Sequence, residues 1–486
     1  PFLVWSVFAS QSYADYKDDI AYTLLQAELG VTIPNAQNIH VTQVEAAVDG
    51  AWMPDTGISG FVGKTIVDKT GGSPGFSSHA TGVGNSFFGN PGSIAAGIQN
   101  IDVYLADDWL LDGFVKTAQS SAPLVSASRL ANHSWVGEMD TVENSVRVLK
   151  RVDWLVEQDE FLQITAVNNG ATNRSLLSNA YNAIAVGRTD GVHAQGSLAL
   201  DSDYKAGRVR PDVVAPIGST SGATPVVSAA AALLIDQAHI AAQGPTSEIS
   251  NGSEIYNGER SEVVKAVIMA GADRVTNNTS SPHQIDGYRS DSVHQSANGL
   301  DTRYGAGQIN VYNNYLIMEA GEQDSQEDGG LALVDQMGYD YDASFGDTQR
   351  MANYQFDTTQ FDGLQLTATL AWNIDIQDDR KPGFNASAIL HDLNLFLFDI
   401  TDGVGNELLI ADSRSDIDNT ENIWYALQKG RDYQLQVTAE GDPFSWDYGL
   451  AWKVSAVPVP AAIWLFLSGV IGLSAFRKRG HAHHQY

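Results

Sequence analysis

A serine stands where a glycine-containing loop is predicted to turn into a small apolar helix. Residues 220–225 read Thr-Ser-Gly-Ala-Thr-Pro, and residues 226–234 continue as an apolar run with a single serine. The first N–H groups of a helix have no intrahelical acceptor, and the helix dipole makes that end positive. Ser221 is therefore expected where an oxyanion is stabilised. An isolated run of this kind is usually only a helix cap, but here a short apolar stretch bracketed by prolines, residues 210–216, leads into it.

A serine hydroxyl is inert near neutral pH unless a general base, an orienting acid and an oxyanion donor surround it. His79 is the candidate base because residues 77–84 form a small-residue loop that leads into a predicted helix. Asn168 is the candidate oxyanion donor, at the end of a β-type run and the start of the turn Asn168-Asn169-Gly170. Losing one such donor typically costs about 10²–10³ in kcat. A plain turn there is compatible with this role.

These segments together resemble the subtilisin-like serine peptidases. Residues 211–216 and 220–225 match the family's Pro-Asp-Val-x-Ala-Pro and Thr-Ser-x-Ala-x-Pro, and residues 166–170 are similar to its Ala-Ala-Gly-Asn-x-Gly. The loop around His79 resembles the family's Ser-His-Gly-Thr-His-Val-Ala-Gly, with Ala80 and Gly82 as departures. The order acid, histidine, asparagine, serine is also that of subtilisin. The resemblance covers residues 37 to 315, and it implies a three-layer α/β domain with a mainly parallel sheet and serine endopeptidase activity.

The resemblance places the orienting acid at the end of residues 39–45, which alternate like a half-buried strand. The family has aspartate there, whereas this chain has Glu45. Asp49 and Asp55 are the alternatives, and Met53-Pro54-Asp55 sets the register because it resembles the family's His-Pro-Asp. Triad geometry tolerates only about 0.5 Å of error, so the extra methylene of Glu45 decides between two functions. One is a working endopeptidase, and the other is a catalytically impaired fold that binds peptides or extracellular matrix.

Substrate specificity follows from two further departures. Residues 130–137 resemble the family's substrate-pairing strand, so the resemblance assigns substrate binding to Ser134, Trp135, Val136 and Gly137. Val136 and Val167 stand where the family has glycines in the wall of its primary pocket. We therefore expect a shallow pocket that accepts Gly, Ala or Ser before the scissile bond.

The pattern changes beyond the predicted peptidase unit. Residues 319–330 are acidic and end in two glycines, and short runs of alternating leucines such as residues 364–370 and 393–397 then predict a small antiparallel β-sandwich. It resembles the accessory domains of bacterial secreted peptidases, and we expect it to stabilise the catalytic unit, with glycan or substrate binding as the alternative. The predicted domains are a signal-peptide remnant and leading helix (1–36), the peptidase unit (37–318), an acidic linker (319–345), the β-sandwich (346–455) and a C-terminal tail (456–486).

The tail carries the second strong signal. An apolar run, residues 461–476, follows Val457-Pro458-Val459-Pro460 and ends in three basic residues. This arrangement resembles the PEP-CTERM sorting tail, which an exosortase reads in certain Gram-negative bacteria, although Val459 replaces the usual glutamate. It implies an extracellular or outer-surface location with transient inner-membrane anchoring by residues 461–476. A terminal membrane anchor without processing is the alternative. At the other end, the sequence starts at Pro1 without an initiator Met. We therefore expect either a truncated N-terminus or an enzyme that matures without a pro-segment.

Cysteine content and net charge limit the kinds of site and partner that this chain can have. The 486 residues contain no cysteine, which excludes disulfides, thiolate zinc sites and thiol catalysis. The formal net charge of −30 makes nucleic acid and anionic lipid unsuitable partners. We expect protein or peptide substrates, no nucleic acid, and membrane contact only through the tail. No cofactor is predicted, and because no acidic run has the spacing of a calcium loop, a structural calcium ion rests on the resemblance alone.

Overall fold

The structure is a computed structural model. It describes residues 16–72, 74–174, 176–241, 246–248, 252–279, 284–331, 333–358, 364–378, 384–403 and 405–456. The predicted signal remnant at residues 2–9 and the predicted tail helix at residues 461–476 lie outside these ranges.

The described helices all lie within the first 320 residues. In chain order they are α1 Tyr16–Asp19, α2 Tyr22–Leu29, α3 Ser78–Phe87, α4 Ala106–Asp108, α5 Val142–Asp159, α6 Thr220–Ala241, α7 Ser261–Gly271 and α8 Val311–Ala320. One of them, α6, is long and apolar enough to cross a membrane, and 83% of its most apolar window is buried inside the protein. It is therefore a core helix of the fold.

The strands of the first part are β1 Val41–Glu45, β2 Ala51–Met53, β3 Thr65–Asp68, β4 Gly75–Phe76, β5 Asn100–Leu105, β6 Leu130–His133, β7 Leu162–Ala166, β8 Ile184–Arg188, β9 Val213–Ala215, β10 Ser247–Glu248 and β11 Glu254–Ile255. Seven of them form one parallel sheet in the order β3-β5-β1-β6-β7-β8-β9. Alternate residues of these strands enter two different apolar cores, one shared with α3, α6, α7 and α8 and the other with α5. The predicted α/β layered architecture with a mainly parallel sheet is confirmed.

The second part is an antiparallel β-sandwich, as predicted. Its strands are β12 Met337–Phe345, β13 Met351–Asp357, β14 Leu364–Ala371, β15 Asp375–Asp378, β16 Ala386–Ile389, β17 Leu393–Asp399, β18 Leu408–Ser413, β19 Thr420–Leu427, β20 Asp432–Ala439 and β21 Trp446–Ala456. Two four-stranded sheets, β12-β21-β14-β19 and β13-β20-β17-β18, enclose a third apolar core. The structure differs from the predicted boundary at residue 345, because β12 lies within the range predicted as linker and pairs along most of its length with β21.

The sandwich packs directly on the α/β unit. Helix α7 lies against β14 and β21, so closely that a Cβ on Gly449 would come within 2.7 Å of the Val263 nitrogen. Buried hydrogen bonds cross the junction, including Val209 N–H to Asp418 Oδ1 at 3.0 Å. Because these backbone groups are satisfied only across the junction, the two units form one packed body.

Candidate active site

The parallel sheet has its topological switch point beside β1. The chain passes from β1 outward to β3 and β5 on one side, and it then returns to β6 on the other side. In open α/β sheets, ligands bind in the crevice at the carboxyl ends of the strands where the order reverses. Glu45, the last residue of β1, lies at this edge.

Glu45 and His79 form the centre of the site. Helix α3 begins at Ser78 with Ser77 as its cap, which places His79 in the first turn of the helix. The Nδ1 of His79 lies 2.9 Å from the Glu45 Oε2. The Glu45 side chain is 1% exposed, whereas that of His79 is 39% exposed. The pair thus has a buried acid and a base that is accessible from the crevice.

The pair also sets the protonation of both groups. The hydrogen bond between His79 and Glu45 is the main cause of the raised pKa of His79, and burial of the imidazole opposes that shift. Burial raises the pKa of Glu45, while the bonds to His79 and Gln43 oppose the rise. Since Nδ1 is engaged by the carboxylate, the Nε2 of His79 is the nitrogen left to take a proton from a nucleophile.

Gln43 is a site residue that the sequence reasoning missed. Its Nε2 lies 2.7 Å from the Glu45 Oε1 and 2.9 Å from the Ala80 carbonyl oxygen. Gln43 is fully buried, and its Oε1 lies close enough to Gly84 that a Cβ there would come within 3.0 Å. Gln43 therefore links the carboxylate to the helix that carries His79. The alternation of residues 39–45 was the available signal, because it places positions 43 and 45 on one face of the strand.

The two alternative acids take no part in this pair. Asp49 is exposed, with a left-handed backbone at φ +50°. Asp55 accepts the Gly57 N–H at 2.9 Å through its Oδ1, as in an ordinary turn. Of the three candidate carboxylates, only Glu45 contacts His79.

Ser221 lies in the first turn of α6, which packs against α3. The Thr220 N–H donates to Asn169 Oδ1 at 2.9 Å, and the Gly222 N–H donates to Ser219 Oγ at 3.1 Å. Between them, the Ser221 N–H has no acceptor among the described residues. Pro225 lacks an N–H, so the Ser221 carbonyl also has no helical partner. In the described residues the Ser221 hydroxyl makes no hydrogen bond to His79, a contact that often forms only with substrate bound.

Asn168 and Asn169 make different contacts in the polar turn after β7. The Asn168 side-chain amide donates to the Thr172 carbonyl oxygen at 2.6 Å, which leaves its second amide hydrogen available. Asn169, which the sequence reasoning treated only as part of a turn, holds the helix of Ser221 through the Thr220 N–H.

A small cleft lies at the end of β7, and Glu45, His79, Asn168 and Ser221 are not among the residues that line it. It has a volume of about 190 Å³ including its open mouth, and the residues that line it are Trp135, Val136, Gly137, Ala166, Arg174, Leu176, Leu177 and Ser178. Val136 lies in this wall and is 38% exposed. The structure differs for Val167, which is 1% exposed and does not line the cleft. The reason is that the wall is made by the last residue of β7, Ala166, one position earlier.

The predicted substrate-pairing segment emerges from β6. That strand ends at His133, so residues 134–137 extend past the sheet toward the cleft. Ser134 is 3% exposed and its Oγ accepts the Asn132 amide at 3.0 Å. Its hydroxyl therefore supports the segment internally, while Trp135, Val136 and Gly137 face the cleft.

No family model matches the chain, and no curated protein matches it. Among solved structures, it is similar to a lanthipeptide protease with 14% sequence identity and a TM-score of 0.39 over 63% of this chain and 95% of that one. A protease from Pseudoalteromonas arctica shows 12% identity and a TM-score of 0.35 over 59% and 91%. The serine protease MycP1, described as an essential component of the type VII (ESX-1) secretion system, shows 13% identity and a TM-score of 0.31 over 63% and 90%. These similarities are too low to place the chain in a family.

Proposed function

We propose that this chain is a serine endopeptidase of the subtilisin type. The observation that carries the proposal is the 2.9 Å contact between Glu45 and His79 at the switch point of the sheet. It is supported by the packing of α3 against α6, because α6 carries Ser221 in its first turn. A buried carboxylate, an accessible histidine and a helix-terminal serine in adjacent elements are the three parts of a Ser-His-acid triad.

In the proposed reaction, the Ser221 Oγ attacks the carbonyl carbon of a peptide bond. The Nε2 of His79 takes the hydroxyl proton, and Glu45 holds the resulting imidazolium through Nδ1–H. The Ser221 N–H and the second amide hydrogen of Asn168 donate to the oxyanion of the tetrahedral intermediate. His79 then passes its proton to the leaving amine, and a water molecule hydrolyses the acyl-enzyme with the same base.

We also propose that the residue before the scissile bond is small, namely Gly, Ala or Ser. The supporting observation is the lining of the cleft, in which the side chains of Trp135, Val136 and Leu176 take part. The Val136 side chain occupies part of the wall where the family has glycine. A peptide library that shows preferred cleavage after Phe or Leu would contradict this specificity.

The location of the enzyme is a proposal from sequence alone. The PEP-CTERM-like tail at residues 456–486 supports a secreted or cell-surface peptidase that an exosortase-type enzyme processes. Mass spectrometry of the C-terminus in an exosortase-containing host tests it, since an intact tail on the surface-exposed protein would contradict processing.

Labelling with a fluorophosphonate probe tests the catalytic proposal. We expect the wild-type chain and Ser219→Ala to be labelled, and Ser221→Ala not to be labelled, with casein hydrolysis following the same pattern. Ser219→Ala is the matched control because it removes a hydroxyl two positions away that only caps the Gly222 N–H. Glu45→Ala should be labelled much more slowly than the wild type.

The second candidate function is a catalytically impaired protein that binds peptides or matrix at the cell surface. The absence of a hydrogen bond between Ser221 and His79 in the described residues favours it. Folded wild-type protein that neither reacts with the probe nor cleaves casein, yet binds peptides in the cleft, would establish this alternative.

A further inference from the structure

Carboxylates from two separate segments converge at the edge of the sandwich. Glu322 and Asp324 follow α8, and Asp340 lies in the middle of β12. Each offers one oxygen, and these oxygens all lie within 4.8 Å of one another. Asp340 is 2% exposed, whereas the other two are open to solvent. The group therefore reaches from the surface into the protein.

A second, independent feature lies two residues along the same strand face. Asp342 is 6% exposed, and its Oδ2 is buried without any hydrogen-bond partner among the described residues. Its Oδ1 accepts the Ser344 N–H at 2.9 Å. The carboxylate of Asp328, from the same loop as Asp324, adds to the negative charge around Asp342. A buried carboxylate oxygen that receives no hydrogen bond is satisfied when a cation binds it.

Arg260, whose positive charge acts on Glu322, is itself paired with Glu160 at 2.9 Å. None of the five carboxylates, Glu322, Asp324, Asp328, Asp340 and Asp342, forms an ion pair with Lys, Arg or His in the described part of the chain.

The polar contacts of the group come from neutral donors. The Tyr354 hydroxyl donates to Asp340 at 2.5 Å, and the Asn257 amide donates to Glu322 at 2.6 Å. Buried carboxylates are paired or coordinate metals because an isolated charge is costly to bury.

We propose that these carboxylates bind a Ca²⁺ ion. All the available ligands are oxygens, which suit hard cations, and there is no cysteine or histidine in the group, as zinc would favour. Ca²⁺ accepts six to eight oxygens in flexible geometry, so carboxylates from a loop and a strand, completed by water, satisfy it. Mg²⁺ retains its water and demands near-ideal octahedral geometry, which an irregular loop supplies poorly.

The ion would fasten the acidic segment across the open edge of the sandwich. The segment already bonds to β13, through the Gln326 N–H to the Asn353 carbonyl at 3.1 Å and through Glu327 to the Asn353 N–H at 2.8 Å. Adding Asp340 and Asp342 of β12 through the ion ties both edge strands to the loop that leaves α8. The site would thus stabilise the junction of the α/β unit and the sandwich, and it does not depend on the proposed activity.

Terbium luminescence on the full chain tests the site directly. Tb³⁺ replaces Ca²⁺ at oxygen sites, and Tyr354, in contact with Asp340, lies close enough to sensitise its emission. We expect Tb³⁺ emission that Ca²⁺ displaces in an excess of Mg²⁺, and a higher Tm in Ca²⁺ than in chelator. Asp324→Asn should weaken Ca²⁺ binding at least about tenfold, because affinity follows the number of charged ligands.

Two variants keep the test decisive. Asp335→Asn removes the same charge from the segment just before β12, at an exposed residue outside the group, so it should bind Ca²⁺ like the wild type. Asp324 is exposed, and circular dichroism in chelator should show that Asp324→Asn folds normally. Wild-type protein without Ca²⁺-displaceable emission would overturn the proposal. Emission and a Tm shift that Asp324→Asn leaves unchanged would also overturn it, because the ion would then bind elsewhere in the chain.

Discussion

Replacing Glu45 by glutamine tests the centre of the proposed triad. At 2.9 Å and an effective dielectric constant of 20, an ionised Glu45 and a protonated His79 attract each other by about 6 kcal/mol. Because 39% of the His79 side chain is exposed, solvent screens part of this attraction, and we retain about 4 kcal/mol. That loss from the transition state predicts a kcat roughly 10³-fold lower in Glu45→Gln.

The pH profile supplies a second readout from the same variant. The bond to Glu45 raises the His79 pKa, and His79 must be neutral to act as the base. The rate of the wild type therefore rises with pH through this raised pKa. Without the carboxylate the pKa falls, so the acid limb of kcat/KM should move to lower pH in Glu45→Gln.

Kinetics with a chromogenic peptide that carries Ala before the scissile bond would measure both effects. Asp49→Asn is the matched control, since it neutralises an exposed carboxylate four residues away, and it should stay within about twofold of the wild type. If Glu45→Gln kept more than a tenth of the wild-type kcat, or had an unmoved acid limb, Glu45 would not be the orienting acid.

Three further predictions concern other parts of the molecule. Gln43→Leu should lower kcat by about 10- to 100-fold at unchanged KM, because a hydrogen bond to a charged group contributes roughly 1.5–3 kcal/mol; an unchanged kcat in steady-state assays would contradict the linking role. Burial lowers the pKa of His133 from 6.5 to about 4, so the unfolded chain binds the proton first as pH falls. The protein should lose about 3 kcal/mol between pH 6.5 and 4 through this residue, and urea denaturation of His133→Gln should show a smaller loss over that range. Gly449→Ala should destabilise the protein by about 1–3 kcal/mol through its contact with Val263, whereas Gly218→Ala, whose Cβ meets nothing within 4 Å, should leave the Tm nearly unchanged.

The α/β layers and the sandwich were predictable because their patterns are local. Short apolar strands alternating with alanine-rich helices indicate parallel β-α units, and period-two leucine runs indicate antiparallel strands. The start of the sandwich was harder to predict. In β12 the inward positions include Asp340 and Asp342 rather than apolar residues, so this strand reads as a continuation of the acidic linker. Only its pairing with β21 identifies it.

The candidate site was likewise predictable only in part. The helix-terminal position of Ser221 and the first-turn position of His79 follow from local sequence, as does the place of Glu45 at a strand end. The role of Gln43 does not follow from local sequence, because the second group that it contacts, the Ala80 carbonyl, lies 37 positions along the chain. The wall of the cleft likewise joins residues near 135 to residues near 176, and no local pattern connects them.

The sequence by itself determined which residue types stand at strand ends and helix starts, because hydrophobic period, glycine and proline positions and capping act over a few residues. The tertiary structure decided which of those residues meet. Three acids could have served His79, and the parallel register of β1 with its neighbours brought Glu45 to it. The acidic run after α8 has no metal-site spacing of its own, and the packing of the sandwich brings Asp340 of β12 beside Glu322 and Asp324. Contacts of this kind depend on chain segments far apart in sequence, whose approach is set by how the layers pack.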